Sequence, residues 1–262
     1  MILVTGASGF VGGKIMKFCK GAVASPSLRG ASEEDIKRIV AESGATTVIH
    51  TAAISDIGAC EKDPAASYVA NVQIPIYLAR ACKNAKLICF SSDQVYGGAA
   101  EEGPYSEDMA KPSNTYAKHK LEMENRVLDI LPDAVLLRAE WMYDYISKKP
   151  NFFTSVINAK ASVAFSSRQY RGITYVREVA ESMERVACLP GGVYNFGSET
   201  TKSMYEITKD FLSFIGKEAA VEDAPPRHNL WMNCEKAKRH GVLFSDVDEG
   251  LRRCAMDYKL SK

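Results

Sequence analysis

The sequence predicts an α/β fold in which helices cover both faces of a parallel β-sheet. Short apolar runs without polar alternation recur through the first half of the chain, as expected for strands buried on both faces. A segment with helical spacing of its apolar residues follows most of these runs. This succession of strands and helices is typical of a doubly wound sheet.

Five strands are predicted in the first half of the chain. They correspond to the segments "MILVT", "AVAS", "TTVIHTAA", "KLICFSS" and "AVLLRAE". Helices are predicted between them, over residues 10–20, from the capping-box-like "SEED" onward, from Asp63-Pro64 to about residue 84, and over residues 113–131. Asp is a favoured helix N-cap and Pro a favoured first helical residue, so the start of the third helix is well marked.

The second half of the chain is less regular. Helices are expected near residues 151–160, 175–188 and 203–216, with a last helix from about residue 245 and a strand at 192–197. The helix at 203–216 is opened by the capping box "SMYE". No Pro- or Gly-rich linker separates the halves, so we expect them to pack together.

Composition excludes several classes of function. The 262 residues carry a formal net charge of +1, which gives no electrostatic basis for binding nucleic acid or an anionic membrane. No apolar run approaches the length of a membrane span, and the seven cysteines include no C-x-x-C pair. We therefore expect a cytoplasmic protein with reduced thiols. We also expect a monomer or a homodimer, and no metal site because His119, His228 and His240 show no mutual ligand spacing.

A glycine-rich loop follows the first strand directly and opens a helix. In "TGASGFVGG", Gly6, Gly9 and Gly12 have the spacing that permits a tight turn, backbone approach to a pyrophosphate and close helix–strand packing. A glycine-rich turn without a ligand is the alternative, but the strand–loop–helix context favours dinucleotide binding. The expected cofactor-binding residues of this loop are Gly6, Ser8, Gly9, Phe10, Val11 and Gly12.

The predicted fold has two parts. Residues 1–143 are expected to form a Rossmann-type NAD(P)-binding domain, to which about residues 173–196 contribute a further strand and helix. Residues 144–262 are expected to form mainly a smaller, partly interleaved α/β substrate-binding region.

The second strand ends at Ser25 without the carboxylate that usually holds the ribose of NAD, and Arg29 follows it. NADP(H) is therefore preferred and NAD(H) remains possible.

A candidate catalytic pair lies on the helix after the fourth strand. The spacing Tyr-x-x-x-Lys occurs four times, at Tyr116/Lys120, Tyr145/Lys149, Tyr205/Lys209 and Tyr258/Lys262. On a helix this spacing places a lysine cation beside the phenol, where it lowers the pKa of the tyrosine. Only Tyr116/Lys120 follows a strand ending in hydroxyls, Ser91 and Ser92, at the edge where open parallel sheets bind ligands.

These segments together resemble a known family. "TGASGFVG", "SSDQVYGG" and "PSNTYAKHK" are similar to motifs of the extended short-chain dehydrogenase/reductases, and the likeness is closest to the dTDP-4-dehydrorhamnose reductase family. "LLRAEWMYD" resembles that family's Arg-Thr-Ser-Trp-Val-Tyr segment. The resemblance implies NAD(P)H-dependent reduction of the 4-keto group of a nucleotide-linked deoxysugar.

The resemblance also implies roles for individual residues. Ser92 would hydrogen-bond the substrate carbonyl, Tyr116 would donate the proton, and Lys120 would lower the pKa of Tyr116 and hold the nicotinamide ribose. The other implied residues are Ala52, Ala53 and Asn71 for the cofactor, with Asn71 near its adenine side, and Asp93, Trp141 and Arg227 for the substrate. Arg227 is equally compatible with a surface arginine, and Trp141 with core packing.

Departures from the family pattern leave other functions open. Gln94 stands where related dehydratases have a glutamate base, and an amide cannot abstract a proton, so a dehydratase is disfavoured. Ile57-Gly58 replaces the family's Val-Asp, and Ala139-Glu140 replaces its Thr-Ser. A nucleotide-sugar epimerase remains an alternative. So does an NADP-binding regulatory subunit without turnover, like the β subunit of methionine adenosyltransferase.

Overall fold

A computed structural model describes residues 1–260 of the chain. The strands are β1 Ile2–Thr5, β2 Ala22–Ala24, β3 Thr47–His50, β4 Lys86–Ser92, β5 Val135–Ala139, β6 Trp141–Tyr143, β7 Ser162–Phe165, β8 Ile173–Tyr175, β9 Gly192–Phe196 and β10 Ala220–Asp223. The α-helices are α1 Phe10–Phe18, α2 Glu33–Ser43, α3 Ile57–Lys62, α4 Pro64–Tyr68, α5 Ile74–Ala81, α6 Thr115–Ile130, α7 Phe152–Ile157, α8 Val176–Val186, α9 Met204–Phe214, α10 Glu235–Arg239 and α11 Val247–Asp257.

A six-stranded parallel sheet forms the centre of the molecule, in the order β2-β1-β3-β4-β5-β9. Helices α1 and α8 pack on one face, and α2, α5 and α6 pack on the other. This arrangement confirms the predicted α/β doubly wound fold. The chain order reverses between β1 and β3, and in open parallel sheets a ligand crevice lies at such a reversal, outside the carboxyl ends of the strands.

Several predicted helix starts are confirmed. Ser32 and Asp35 form the capping box of α2, and Ser203 and Glu206 form that of α9. Asp63 accepts a hydrogen bond from the Ala66 N–H at the start of α4. Helix α11 begins at residue 247 rather than near 245, because Asp246 is its N-cap.

The predicted helix from residue 63 to 84 contains an unpredicted widened turn. A π-helical segment, Val69–Gln73, joins α4 to α5. Pro75 in the first turn of α5 has no N–H and cannot complete a regular α-helical ladder. The widened turn, which contains Asn71, accommodates this defect.

The second half builds a separate core beside the sheet. Strand β6 pairs with β8 and β7 pairs with β10, both in parallel, and the sequence patterns predict none of these four. Aromatic and aliphatic side chains of α7, α9 and α11 pack together there. Helix α11 turns Val247, Leu251 and Cys254 inward.

Two further features concern membrane-spanning helices and the state of the cysteines. No helix within residues 1–260 has both the length and the apolar character needed to cross a lipid bilayer. All seven cysteines are free thiols, and Cys188 is the exposed one among them.

Candidate active site

The glycine loop is packed so tightly that side chains have no room at two positions. Gly6 has a φ of +73°, and a Cβ built on it would lie 2.7 Å from the backbone N of Ala52. A Cβ on Gly12 would lie 2.2 Å from the Gly6 carbonyl oxygen and 2.8 Å from the Thr51 hydroxyl. The absence of these side chains therefore lets the β1 loop, the β3 loop and α1 meet closely.

The start of α1 fits a dinucleotide pyrophosphate. Gly9 is its N-cap, and no side chain caps the helix, whose first turn contains Phe10 and Val11. First-turn N–H groups of a helix lack intrahelical acceptors and favour anions. Ser8 and Gly9 are exposed beside them. NAD(P) would be held here by the backbone of this loop.

Alanine at residue 12 is expected to disrupt this loop, whereas alanine at residue 13 is not. Gly12→Ala should cost about 2 kcal/mol or more through overpacking and weaken NADPH binding. The nearest atom to a Cβ on Gly13 is 3.6 Å away, so Gly13→Ala should be neutral or stabilising by up to about 1 kcal/mol. Urea unfolding and NADPH titration measure both effects, and equal behaviour of the two variants would contradict the packing account.

The other predicted cofactor residues lie along the same edge of the sheet. Ser25 follows β2, and Arg29 is exposed in the loop beyond it. Ala52 and Ala53 follow β3 next to the glycine loop, with Ala53 exposed. These four residues thus follow the carboxyl ends of β2 and β3, and their contacts with a cofactor stay a prediction.

Asn71 is fully buried in the widened turn between α4 and α5. Its amide nitrogen donates to the Ile54 carbonyl at 2.9 Å and to the Ser67 hydroxyl at 3.2 Å. Asn71 therefore fixes the loop after β3 to this helix. An adenine contact of Asn71 stays a prediction.

Ser92, Tyr116 and Lys120 converge at the carboxyl end of β4. Ser92 is the last residue of β4, while Tyr116 and Lys120 lie one turn apart on α6; the three are 7%, 7% and 2% exposed. The Ser92 hydroxyl and the Asp93 carboxyl are both close enough to Tyr116 to act on its pKa. The Lys120 ammonium lies 5.8 Å from the Tyr116 ring centroid and donates to the Phe90 carbonyl at 2.7 Å. A proton donor, a second hydroxyl and a cation are thus adjacent.

Burial dominates the electrostatics of this set. It raises the pKa of Tyr116 well above its usual value, although the Ser92 hydroxyl opposes the shift. The expected lowering of the Tyr116 pKa by Lys120 is therefore corrected: the pKa is raised, with desolvation as the largest cause. A raised pKa keeps the phenol protonated at neutral pH, as a proton donor requires. Burial also lowers the pKa of Lys120 to about 8.

An unpredicted residue, Glu61, holds the start of α6 in place. Its carboxylate accepts from the Thr115 backbone N–H at 2.7 Å and from the Thr115 hydroxyl at 2.8 Å. Asn114 caps the same helix by accepting from the Ala117 N–H at 2.8 Å. Two side chains therefore fix the turn that carries Tyr116. The contact between α3 and α6 joins residues far apart in the chain, so no local pattern indicates it.

His50 is a buried histidine at the carboxyl end of β3. It is 2% exposed, and its Nδ1 shares a hydrogen bond of 2.7 Å with the Thr5 hydroxyl. Burial, followed by the Lys120 charge, lowers its pKa from 6.5 to about 3. The folded protein therefore holds His50 neutral where the unfolded chain becomes protonated. Stability linked to His50 is present above pH 6.5 and lost as the pH falls towards 3.

This shift predicts an acid-dependent loss of stability. Lowering the pH from about 7 to about 5 should remove about 2 kcal/mol of unfolding free energy through His50 alone. His50→Gln should reduce that pH dependence, whereas His240→Gln, at an exposed position, should leave it unchanged. Urea unfolding at both pH values measures it, and an unaltered slope in His50→Gln would contradict the assignment.

The predicted substrate residues Asp93 and Trp141 meet through an arginine that the sequence did not indicate. Asp93 is 3% exposed and accepts from the Arg171 guanidinium at 2.6 Å. That guanidinium carbon lies 5.4 Å from the centroid of the Trp141 ring, which is 36% exposed. The nearby Glu140 carboxyl accepts from the Thr174 hydroxyl, and burial raises the pKa of Glu140 to about 8.

Arg227 lies in an exposed loop at the rim of this region. The next residue, His228, shares a hydrogen bond of 2.9 Å with the carbonyl of Tyr96, in the turn that follows Ser92. Trp231 is half-buried, with its ring 5.6 Å from that of Tyr170. The loop thus approaches the site, and a role of Arg227 in binding stays a prediction.

The remaining Tyr-x-x-x-Lys pairs lie elsewhere. Tyr205/Lys209 is on α9, and Tyr145/Lys149 is in the irregular segment after β6. Tyr258 follows α11, and its partner in the spacing, Lys262, lies outside the described residues. No group of three or more His, Cys, Asp or Glu side chains within residues 1–260 is arranged as a metal site.

Solved structures similar to this chain include dTDP-4-dehydrorhamnose reductases. The protein from Clostridium acetobutylicum has a TM-score of 0.86 at 22% identity, covering 98% of this chain and 99% of the other. The protein from Bacillus anthracis, solved in complex with NADP, has a TM-score of 0.85 at 20% identity and covers 98% of each chain. At these identities the likeness concerns the fold.

Sequence comparison also finds relatives that are named dTDP-4-dehydrorhamnose reductase. The dTDP-4-dehydrorhamnose reductase of Streptomyces griseus is 29% identical over 83% of this chain and 77% of its own length. That of Mycobacterium tuberculosis is 35% identical over 53% of this chain and 49% of its own length. The family model of the RmlD substrate binding domain matches residues 1–239. The match confirms the resemblance drawn from the motifs, and the chain belongs to the RmlD substrate binding domain family.

Proposed function

We propose that this protein uses NADPH to reduce the 4-keto group of a nucleotide-linked deoxysugar, with NADH as a possible second cofactor. The observation that carries the proposal is the convergence of Ser92, Tyr116 and Lys120 at the carboxyl end of β4, on the sheet whose β1 loop fits a pyrophosphate. The names of the relatives support the substrate class, and NADP in the Bacillus anthracis structure supports the cofactor.

The chemistry divides between the cofactor and the side chains. Bound NADPH would supply a hydride to the carbonyl carbon. The Tyr116 hydroxyl would donate its proton to the carbonyl oxygen, so that the ketone becomes an alcohol. Ser92 would hydrogen-bond the same oxygen and stabilise the negative charge that develops there. The Lys120 cation would stabilise the Tyr116 phenolate until it regains a proton.

We assign substrate binding mainly to residues 144–262, together with the end of β4 and β6. Trp141 presents a partly exposed ring beside Arg171, and such a surface suits the apolar face of a deoxysugar. Asp93 and Arg227 would contribute polar contacts, Arg227 to the diphosphate as a planar cationic donor.

Turnover and binding assays distinguish this proposal from its alternatives. Oxidation of NADPH in the presence of dTDP-4-dehydro-6-deoxy-L-mannose is the expected result, with slower oxidation of NADH. NADPH binding without turnover of any 4-keto sugar nucleotide would instead indicate a binding subunit. Inversion of a sugar hydroxyl without net cofactor consumption would indicate an epimerase.

A further inference from the structure

The carboxylate next to the candidate catalytic serine makes two unequal hydrogen bonds. Ser92 Oγ donates to Asp93 Oδ1 at 3.1 Å, whereas Arg171 Nη2 donates to Asp93 Oδ2 at 2.6 Å. Hydroxyl-to-carboxylate bonds usually measure about 2.5–2.7 Å. The bond to Ser92 is thus long and weak, and the carboxylate is committed to Arg171.

Arg171 is held in place from two directions. Its guanidinium lies over the Trp141 ring, with the central carbon 5.4 Å from the ring centroid. Its backbone forms an isolated β-bridge with Leu230. The side chain is 13% exposed, so little solvent screens its ion pair with Asp93. This anchoring keeps the cation at a fixed place beside Asp93.

Asp93 requires a cation because it lies in a poorly solvated region with a second carboxyl. It is 3% exposed and Glu140 is 4% exposed; burial, and after it the Asp93 charge, raise the pKa of Glu140. Without Arg171, an ionised Asp93 would turn to the nearest hydroxyl, that of Ser92. A proton held by Asp93 is not available to a substrate carbonyl. Arg171 thus acts on the serine through the aspartate.

We propose that Arg171 is a positioning residue for the reduction, engaging Asp93 so that Asp93 holds the Ser92 hydroxyl proton only weakly and the proton can be donated to the substrate carbonyl instead. The inference rests on the proposed reductase function. It assigns Arg171 a role in the catalytic step, in addition to any contribution to folding.

Loss of Arg171 should have a pH-dependent effect. Charged or titratable groups around Asp93 are Arg171 itself, Glu140 and Tyr116. In Arg171→Met, no cation offsets the effect of burial on the pKa of Asp93. Asp93 therefore becomes protonated at the acid end of the assay range. Neutral Asp93 releases the Ser92 proton, and activity recovers. Towards alkaline pH, Asp93 ionises, binds that proton and lowers the rate.

The experiment compares kcat and KM across pH in four variants. Arg171→Met should lower kcat by about 10–100-fold at about pH 8, with a smaller deficit at about pH 6. Arg171→Gln, which retains a hydrogen bond without the charge, should show a milder form of the same profile. The double variant Arg171→Met/Asp93→Asn should regain at least about tenfold in kcat at alkaline pH, because the competing charge is gone. Arg239→Met, at an exposed ion pair, is the control.

The outcomes separate this inference from the proposed function. A kcat deficit equal at every pH, or no recovery in the double variant, would assign Arg171 a structural role and overturn the inference while the reductase function stands. Thermal unfolding and NADPH affinity report that structural role directly. If Arg171→Met does not fold, the pH profile of Arg171→Gln decides. Absence of turnover in the wild type would overturn both the function and the inference.

Discussion

Replacement of Tyr116 by phenylalanine is expected to lower kcat by about 10²–10⁴-fold, with NADPH affinity nearly unchanged. The substitution removes the hydroxyl that would protonate the carbonyl oxygen and keeps the ring that packs beside Lys120. Rates of NADPH oxidation and a direct NADPH titration measure the two quantities separately. A variant that retains a tenth or more of the wild-type kcat would exclude Tyr116 as the proton donor.

Tyr205→Phe is the matched control for this substitution. Tyr205 has the same spacing to its lysine, Lys209, but is a half-buried residue of α9, the helix that packs in the second core. Tyr205→Phe should therefore leave kcat within about twofold of the wild type, as expected for a position remote from the chemistry. The pH profile adds a second test. Burial raises the pKa of Tyr116 and lowers that of Lys120 to about 8, so the wild-type rate should be maintained through neutral pH and decline above about pH 8, where Lys120 loses its charge.

Glu124→Gln is expected to cost about 3–5 kcal/mol of unfolding free energy. Glu124 and Arg138 form a buried ion pair in which Arg138 Nη2 donates at 2.7 Å and Nε at 3.0 Å, with the side chains 1% and 4% exposed. Arg138 also donates to the Tyr96 hydroxyl at 2.8 Å, and Ser91 donates to Glu124. Removing the carboxylate leaves a buried guanidinium without its counter-charge.

Glu122→Gln provides the control on the same helix. Glu122 pairs with Arg126 at the surface, with side chains 42% and 44% exposed, so its loss should cost no more than about 1 kcal/mol. Urea unfolding of both variants measures the difference. Similar costs at the two positions would show that burial does not govern the contribution of these pairs.

Local patterns were sufficient to predict the central sheet and to indicate the candidate site residues. Each strand of the sheet is an apolar run, and the capping motifs of α2, α4 and α9 lie within four consecutive residues. The glycine spacing after β1 and the hydroxyls at the end of β4 are equally local. Tyr116 could be chosen among four tyrosines because parallel strands bring their carboxyl ends to one edge.

Contacts between distant segments could not be predicted in this way. The pairing of β6 with β8 and of β7 with β10 involves strands of three or four residues, too short for a periodic signal. The widened turn at Asn71 follows from a proline within a longer helix, which a pattern of apolar residues does not reveal. The support of α6 by Glu61 is likewise absent from any local motif.

The sequence by itself determined the α/β fold class and indicated a candidate pyrophosphate loop and the candidate pair Tyr116/Lys120, because each depends on residues close together in the chain. Only the tertiary structure decided what surrounds them. It placed Arg171 on Asp93 across 78 positions, buried Glu140 beside that pair, and raised the pKa of Tyr116 where the motif alone predicted a lower one. Desolvation and long-range charge pairing depend on which segments meet, and folding alone determines that.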